Sequence, residues 1–216
     1  MTFILTEHDS VANKFIAELR DVNVQKDRMR FRKNLERVGE VLAYEISKTL
    51  AYEKLEVETP LGIAHTKVHS ENIILATVLR AGIPFHRGFL NYFDNAQNAF
   101  ISAYRMHHKD GSFEIKLEYV SCPNLENSTL IICDAMLATG ASMALSLKAM
   151  LDHGAPKNIH VAAAIASTSG INYIKRLFPK TDIWLGALDE ELTARSFIVP
   201  GLGDAGDLAY GTKIQE

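Results

Sequence analysis

The stretch LIICDAMLATGAS, residues 130–142, decides the fold. Four apolar residues are followed by Asp134, by a turn of mostly small residues and then by a helical pattern. Open α/β sheets bind ligands at the carboxyl ends of their strands, where units of strand, turn and helix meet. The backbone N–H groups of such a turn, together with the positive end of the helix, make a cradle for an anion. The stretch therefore predicts an α/β fold with an anion site in the loop after residues 130–133.

Individual side chains of this stretch refine the expected ligand. Thr139 and Ser142 add hydroxyl donors, and Gly140 allows the backbone to approach an anion closely. Asp134 only accepts hydrogen bonds when it is ionised, so it suits sugar hydroxyls rather than a phosphate. A sugar phosphate is therefore the predicted ligand. The alternative is an ordinary strand-to-helix turn that is capped by a Thr or Ser hydroxyl.

Further apolar runs alternate with helical patterns on both sides of this stretch. Runs that predict buried strands lie at residues 73–79, 99–105, 159–167 and 181–188. Helices are predicted after Ser10 and at residues 26–50, 142–153 and 171–178. Strands that alternate with helices in this way predict a mostly parallel sheet flanked by helices.

The chain is expected to form a single domain over residues 1–216, because no repeat or long linker interrupts it. The helices at about 10–50 and a hairpin at about 54–68 indicate an appended hood. A second hairpin, or arm, is predicted at about 106–118. The glycine-rich, polar tail at about 197–212 is expected to be a loop.

Composition excludes several classes of protein. The formal net charge of −3 and the 47% of apolar residues describe an ordinary globular protein without a basic field for nucleic acid. No stretch reaches the roughly 20 apolar residues of a membrane helix, and the N-terminus does not look like a signal peptide. Cys122 and Cys133 form neither a metal spacing nor a disulfide framework. We therefore expect a cytoplasmic protein without a membrane partner or a nucleic-acid partner.

Arg80 and Arg105 each end a predicted buried strand. Taken singly, each is more often a solvated charge, but two arginines beside a phosphate loop can bind a polyanion with paired N–H donors. His65 and His69 are separated by about 13 Å in a predicted strand, so they do not predict a metal site. The basic run at residues 26–37 is read as a solvated helix face, with a nucleotide effector or a subunit contact as the alternative.

Five strings carry a resemblance to a known family. DAMLATGA, residues 134–141, resembles the motif for 5-phosphoribosyl 1-pyrophosphate (PRPP) of type I phosphoribosyltransferases, in the form found in uracil phosphoribosyltransferases. VLRAG, 78–82, resembles the pyrophosphate loop of that family, and Tyr104-Arg105 resembles the pair that precedes its mobile arm. The early helix at 30–47 and the tail SFIVPGLGDAGDLAYGT, 196–212, are also similar to the uracil enzymes. The likeness runs from about residue 26 to the end, with gaps.

The resemblance implies a role for each matching residue. The catalytic set would be Arg80, Arg105, Asp134 and Asp204. PRPP would be bound by Arg80, Arg105, Asp134, Ala135, Met136, Leu137, Ala138, Thr139, Gly140, Ala141, Ser142 and Asp204. Uracil would be bound by Ile198, Gly203, Asp204 and Ala205. Uracil presents an acceptor, a donor and an acceptor, and an irregular glycine-rich loop can read that pattern with backbone groups alone. The alternative for the tail is a plain surface loop near a terminus.

The implied reaction converts uracil and PRPP to uridine 5′-monophosphate (UMP) and pyrophosphate in pyrimidine salvage. Mg²⁺ would be bound mainly through PRPP, with no metal site made by the protein alone. Because this is the family's pattern, a homodimer or a higher homo-oligomer is expected, and a GTP effector is left open. One alternative is a regulator of the same fold that senses uridine nucleotide or PRPP, and another is a transferase for a different base.

Four departures from the uracil pattern stand out. Ala135 replaces a Pro, Ala141 replaces a Gly, and Leu208 replaces a basic residue. Residues 84–87, Pro-Phe-His-Arg, replace a glycine-rich stretch, and the Pro removes an N–H and stiffens the backbone. None of these changes removes an Asp, Arg or Thr with an implied contact, so they bear on rate, base specificity and regulation.

Overall fold

The structure is a computed structural model that describes residues 1–107 and 113–213, with only the backbone for 104–107 and 113–116. The strands are β1 (Thr2–Ile4), β2 (Tyr52–Thr59), β3 (Gly62–His69), β4 (Ile73–Leu79), β5 (Gln97–His107), β6 (Phe113–Ser121), β7 (Thr129–Leu137), β8 (Asn158–Ser167), β9 (Asp182–Asp189), β10 (Glu191–Leu192) and β11 (Ile198–Val199). The helices are α1 (Ala12–Arg20), α2 (Arg28–Ser47), α3 (Gly82–Leu90), α4 (Ala141–Leu151), α5 (Thr168–Leu177) and α6 (Ala205–Tyr210).

A seven-stranded sheet in the order β1-β9-β8-β7-β4-β5-β6 forms the centre of the molecule. All its neighbours pair in parallel except β5 and β6, which are antiparallel. The predicted α/β class with a mostly parallel sheet is thereby confirmed. None of the helices in the described part of the chain combines the length and the apolar character that crossing a bilayer requires.

Both faces of the sheet are covered, which explains why its strands lack polar alternation. Leu75 and Ile131 point into a core shared with α1, α2 and α3. Ile74 and Ile132, their neighbours along the same strands, point into a second core that is shared with α4 and α5. Because successive strand residues face opposite sides, an apolar residue is required at every position.

Helix α3 was missed by the sequence analysis, which identified only a likeness to a pyrophosphate loop at 78–82. Pro84 lies in the first turn of the helix, where a missing N–H costs little, so it does not break the helix. Gly39 of α2 and Gly88 of α3 let the two helices cross in backbone contact. A Cβ on Gly88 would collide with the carbonyl oxygen of Glu36.

The tail is not entirely a loop, as was predicted, because residues Ala205–Tyr210 form α6. Asp204 caps this helix, and its Oδ1 accepts a hydrogen bond from the Asp207 N–H at 3.0 Å. Of the predicted arm, residues 108–112 lie outside the described residues, and the backbone of the flanking strands pairs as expected. The early hairpin is confirmed as β2 and β3, which pair from Tyr52–His69 to Thr59–Gly62.

Candidate active site

A cavity of about 650 Å³ opens at the carboxyl edge of the sheet. Its walls come from the end of β4, from β7 and the start of α4, and from the tail. Among the residues predicted to bind PRPP or uracil, those that line it are Arg80, Asp134, Met136, Leu137, Ala138, Thr139, Gly140, Ser142, Asp204 and Ala205. Segments far apart in sequence therefore meet around one space, as the shared sheet edge predicted.

Other predicted site residues do not line the cavity. Ala135, Ala141, Ile198 and Gly203 are absent from its wall. Ala135 is fully buried in the core, because β7 continues in register with β8 as far as Leu137. The loop predicted to follow residue 133 therefore begins only at residue 138. Arg105 has its backbone in β5, but its side chain lies outside the described part of the structure.

Asp134 lies on β7 within the cavity wall, and its Oδ1 accepts a hydrogen bond from the Ala135 N–H at 2.7 Å. Burial raises the pKa of this carboxyl to about 7, although N–H donation from Ala135 and Met136 acts in the opposite direction. The carboxyl therefore titrates near neutral pH. In the ionised form it can accept hydrogen bonds from sugar hydroxyls.

The turn at 138–140 is held by the neighbouring strand and helix. Ser167 donates its hydroxyl to the Ala138 carbonyl oxygen at 2.6 Å. Gly140 has φ +79°, and a Cβ there would lie 2.9 Å from the carbonyl oxygen of Gly170. The glycine is thus required by both its backbone conformation and its packing on α5. The turn leads directly into the N-terminus of α4, which is the arrangement of an anion cradle.

Arg80 follows a cis peptide bond from Leu79 and reaches across the cavity to the tail. Its Nη2 lies 3.3 Å from Oδ1 of Asp207 and 3.4 Å from the carbonyl oxygen of Gly211. The Arg80 side chain remains 39% exposed. Arg80 therefore links the loop after β4 to α6, a contact that the sequence analysis did not predict.

The lining residues that were not predicted include four with polar or aromatic side chains, namely Arg195, Ser196, Phe197 and Lys213. Three of them belong to a turn that β10 and β11 bring over the cavity by pairing Glu191 with Val199 and Leu192 with Ile198. A ladder of two residue pairs leaves no periodic signal in a sequence. Ser196 and Phe197 could have been found, since they lie within the tail that resembles the uracil enzymes.

The basic run at 26–37 is largely engaged within the molecule. Arg30 forms a two-pronged ion pair with Glu18, whose pKa is lowered to about 2 by hydrogen bonds from Arg30 and Asn34. Arg32 donates to the carbonyl oxygen of Ala209 at 2.7 Å, and Lys33 pairs with Glu36 at 3.0 Å. Three of the six positive side chains of the run are thereby bound to partners within the molecule.

Comparison with known proteins gives the family directly. The family model that matches residues 5–212 is described as uracil phosphoribosyltransferase. A uracil phosphoribosyltransferase of Porphyromonas gingivalis is 54% identical over 209 residues, which cover 96% of this chain and 96% of that protein. One from Pyrococcus furiosus is 38% identical over 205 residues, covering 94% of this chain and 87% of that protein.

A solved structure agrees with this likeness. The AQ2163 protein from Aquifex aeolicus superimposes with a TM-score of 0.88 at 30% identity, and the match covers 100% of both chains. The likeness in sequence and the likeness in structure thus both extend over nearly the whole chain. The chain belongs to the uracil phosphoribosyltransferase family.

Proposed function

We propose that this protein transfers the phosphoribosyl group of PRPP to N1 of uracil, which yields UMP and pyrophosphate. The observation that carries the proposal is the single cavity in which Arg80, Asp134, the turn at 138–140 and Asp204 meet. Its volume of about 650 Å³ lies within the range of sites for small ligands. The names of the relatives point to the same reaction.

The proposed roles follow from where charge develops during the transfer. As N1 of uracil attacks the anomeric carbon and pyrophosphate leaves, positive charge grows on the ribose and negative charge on the leaving group. Arg80 would stabilise the leaving pyrophosphate, and Asp134 would hold the ribose hydroxyls in position. The turn at 138–140 and the first turn of α4 would bind the 5′-phosphate with backbone N–H groups.

Arg105 keeps its proposed role beside Arg80. Its backbone lies in β5, next to β4, and two arginines can share the charge of a pyrophosphate. Ile198 and Gly203 also keep a role in binding uracil, through backbone groups rather than side chains, and Asp204 and Ala205 line the cavity beside them. The same holds for the backbone N–H groups of Ala135 and Ala141 toward PRPP.

Mg²⁺ is the cofactor that we propose to accompany PRPP. Within residues 1–107 and 113–213, no group of three or more His, Cys, Asp or Glu side chains could hold a metal ion. Asp134 and Asp204 are carboxylates of the cavity wall, and few carboxylates suit an ion that binds through phosphates and keeps water ligands. Bound with PRPP, the ion would neutralise part of the pyrophosphate charge.

A pyrophosphate-release assay tests the proposal. The purified chain is given PRPP and Mg²⁺ with each nucleobase in turn, and the nucleotide product is identified. We expect release with uracil and UMP as the product, and GTP added to the same assay tests for an effector. Folded protein that binds PRPP but is inactive with uracil would favour the regulator, and turnover with another base would reassign the substrate.

We further propose that the enzyme works in the cytoplasm, in pyrimidine salvage, as a homodimer.

A further inference from the structure

A partly buried ion pair between Arg20 and Asp189 holds one glycine of the tail by hydrogen bonds. Arg20, the last residue of α1, donates from Nη1 and Nη2 to the two carboxylate oxygens of Asp189, at 2.8 Å each. The same Nη1 donates to the carbonyl oxygen of Gly201 at 3.0 Å. Oδ2 of Asp189 accepts the Gly201 N–H at 2.9 Å. Both backbone polar groups of Gly201 are therefore held by the pair.

Gly201 occupies the middle of the segment that is expected to read uracil. It lies between Ile198 and Gly203, and its φ is +59°. A Cβ at this position would collide with the carbonyl oxygen of Ile198. The chain is therefore folded tightly back on itself here, and the orientation of the Gly201 peptide groups determines the direction of the backbone on either side.

We propose that Arg20 and Asp189 are positioning residues that fix the uracil-binding segment and so set the affinity for the base. This proposal rests on the proposed function. A loop that recognises a base through backbone groups has to keep them in place, because displacements of about 1 Å at a site can cost about 100-fold in rate. Neither residue lines the cavity, so their effect passes through Gly201.

The effect is selective because the PRPP residues other than Asp204, which is shared with uracil, rest on other elements. Arg80 follows β4, and Asp134 lies on β7, where strand pairing with β8 holds the backbone. Loosening Gly201 leaves these strands in register. Loss of the hydrogen bonds to Gly201 should therefore raise the KM for uracil while the KM for PRPP changes little.

A second ion pair, between helices α1 and α2, offers a matched control. Arg30 donates to Glu18 in the same two-pronged way, with Nε–Oε2 and Nη2–Oε1 distances of 2.9 and 2.8 Å. This pair joins α2 to α1, and in the described structure Arg30 makes no hydrogen bond to the tail. Arg30→Met thus removes an equivalent ion pair without touching Gly201.

The experiment measures the KM for uracil, the KM for PRPP and kcat for Arg20→Met and Arg30→Met, with melting temperatures alongside. We expect Arg20→Met to raise the KM for uracil about tenfold or more, while the KM for PRPP and kcat stay within about threefold. Such a rise in KM alone indicates a loss of uniform binding. Arg30→Met should leave both KM values within about twofold.

Arg20→Lys serves as the conservative variant. Lysine retains the charge opposite Asp189 but lacks the planar fork, so we expect an intermediate KM for uracil. It also decides the matter if Arg20→Met leaves Asp189 buried without a partner and fails to fold. Overlapping kinetics for wild type and Arg20→Lys would then overturn the positioning role.

Other outcomes separate the two proposals. If Arg20→Met and Arg30→Met changed the KM for uracil and the KM for PRPP to the same extent, the pair of Arg20 and Asp189 would be merely structural. That result would refute the positioning role, whereas UMP formation by the wild type would still support the proposed function. If the wild-type chain forms no UMP from uracil, the proposed function itself fails and this inference falls with it.

Discussion

Among single residues, Asp134 is expected to give the activity a pH dependence, because of the role that we propose for it. Burial raises its pKa to about 7, and the hydroxyl-binding role requires the ionised form. We therefore expect kcat/KM for PRPP to rise with pH through about 7 and to level off above it, since this ratio reports ionisations of the free enzyme and free substrate. Initial rates between pH 5.5 and 9 at saturating uracil check this.

Asp134→Asn separates the enzyme's ionisation from that of PRPP, whose phosphates also titrate near pH 6. The amide keeps the shape but carries no charge. We expect kcat/KM at pH 8 to fall at least tenfold, a loss of about 1.4 kcal/mol or more of transition-state stabilisation. The rise of kcat/KM with pH that is due to ionisation of Asp134 should vanish. Near-normal kinetics in this variant would contradict the role assigned to the carboxylate.

His160 gives the folded state its own dependence on pH. Its side chain is buried, and its Nδ1 accepts a hydrogen bond from Trp184 Nε1 at 3.1 Å, which requires the neutral ring. Burial lowers its pKa below 6.5, although the charges of Asp182 and Glu71 act in the opposite direction. At pH values between the folded and the unfolded pKa, the unfolded chain therefore binds a proton at His160 that the folded chain does not bind. The stability contributed by His160 is lost as pH falls below about 6.5.

The measurement compares the free energy of unfolding of wild type and His160→Gln between pH 7.5 and 5.5. Asp134 contributes with the opposite sign over part of this range, because its raised pKa favours the protonated folded state. Only the difference between the two proteins therefore isolates His160. We expect wild type to lose more stability on acidification than the variant. His153→Gln, at an exposed site, should follow wild type.

Sequence reasoning at the residue level found side chains that the apolar strands carry to the cavity wall. Asp134, Thr139 and Arg80 were predicted because they follow apolar runs that meet at one sheet edge. It could not find Arg20 or Asp189, whose partners lie up to 181 positions away. Their pairing depends on how α1 packs against the end of β9, and no local pattern encodes that.

At the level of elements, the contact between α2 and α3 offers a stability test. A Cβ on Gly88 would lie 2.7 Å from the backbone nitrogen of Glu40 and closer still to the Glu36 carbonyl oxygen. Backbone atoms cannot rotate away, so Gly88→Ala should force the helices apart at a cost of about 1–3 kcal/mol. For a chain of this size that lowers the melting temperature by about 2–12 °C.

Arg87→Ala is the control for this test. Arg87 is the neighbouring residue on α3. Its side chain is 73% exposed and its Nε lies 3.7 Å from Oε1 of Glu36, so the loss of this exposed ion pair should change stability by no more than about 1 kcal/mol. Thermal unfolding followed by circular dichroism compares the three proteins. Equal melting temperatures for Gly88→Ala and wild type would mean that the helices can separate without loss.

The observed bounds of the helices and strands show why the prediction from sequence was incomplete. Long buried strands and the helix at 28–47 were found because their apolar patterns are strong. Helix α6 was missed because Gly206 and Asp207 favour turns, whereas Asp204 in fact caps a short helix. Strand β7 was predicted too short, since Asp134 seemed to end it although pairing with β8 continues to Leu137.

At the level of the whole molecule, the hairpin of β2 and β3 exposes an apolar face to solvent. Leu55, Val57 and Val68 share one face through the cross-strand pairs, and the three side chains are 38–43% exposed. Its opposite face carries charged residues such as Glu56 and Glu58. An isolated two-stranded hairpin is marginal in water, and an exposed apolar face indicates a missing contact.

A second copy of the chain is the partner that we expect on this face, because the protein is predicted to be a homodimer. Leu55→Gln with Val57→Gln should weaken the dimer, since each substitution places an amide in the apolar contact. Glu56→Gln with Glu58→Gln changes the same strand on its other face and should leave the dimer intact. Sedimentation velocity over a range of concentrations measures both. A wild-type chain that sediments as a 24.0 kDa monomer would refute the dimer, and equal weakening by the two variants would place the contact elsewhere.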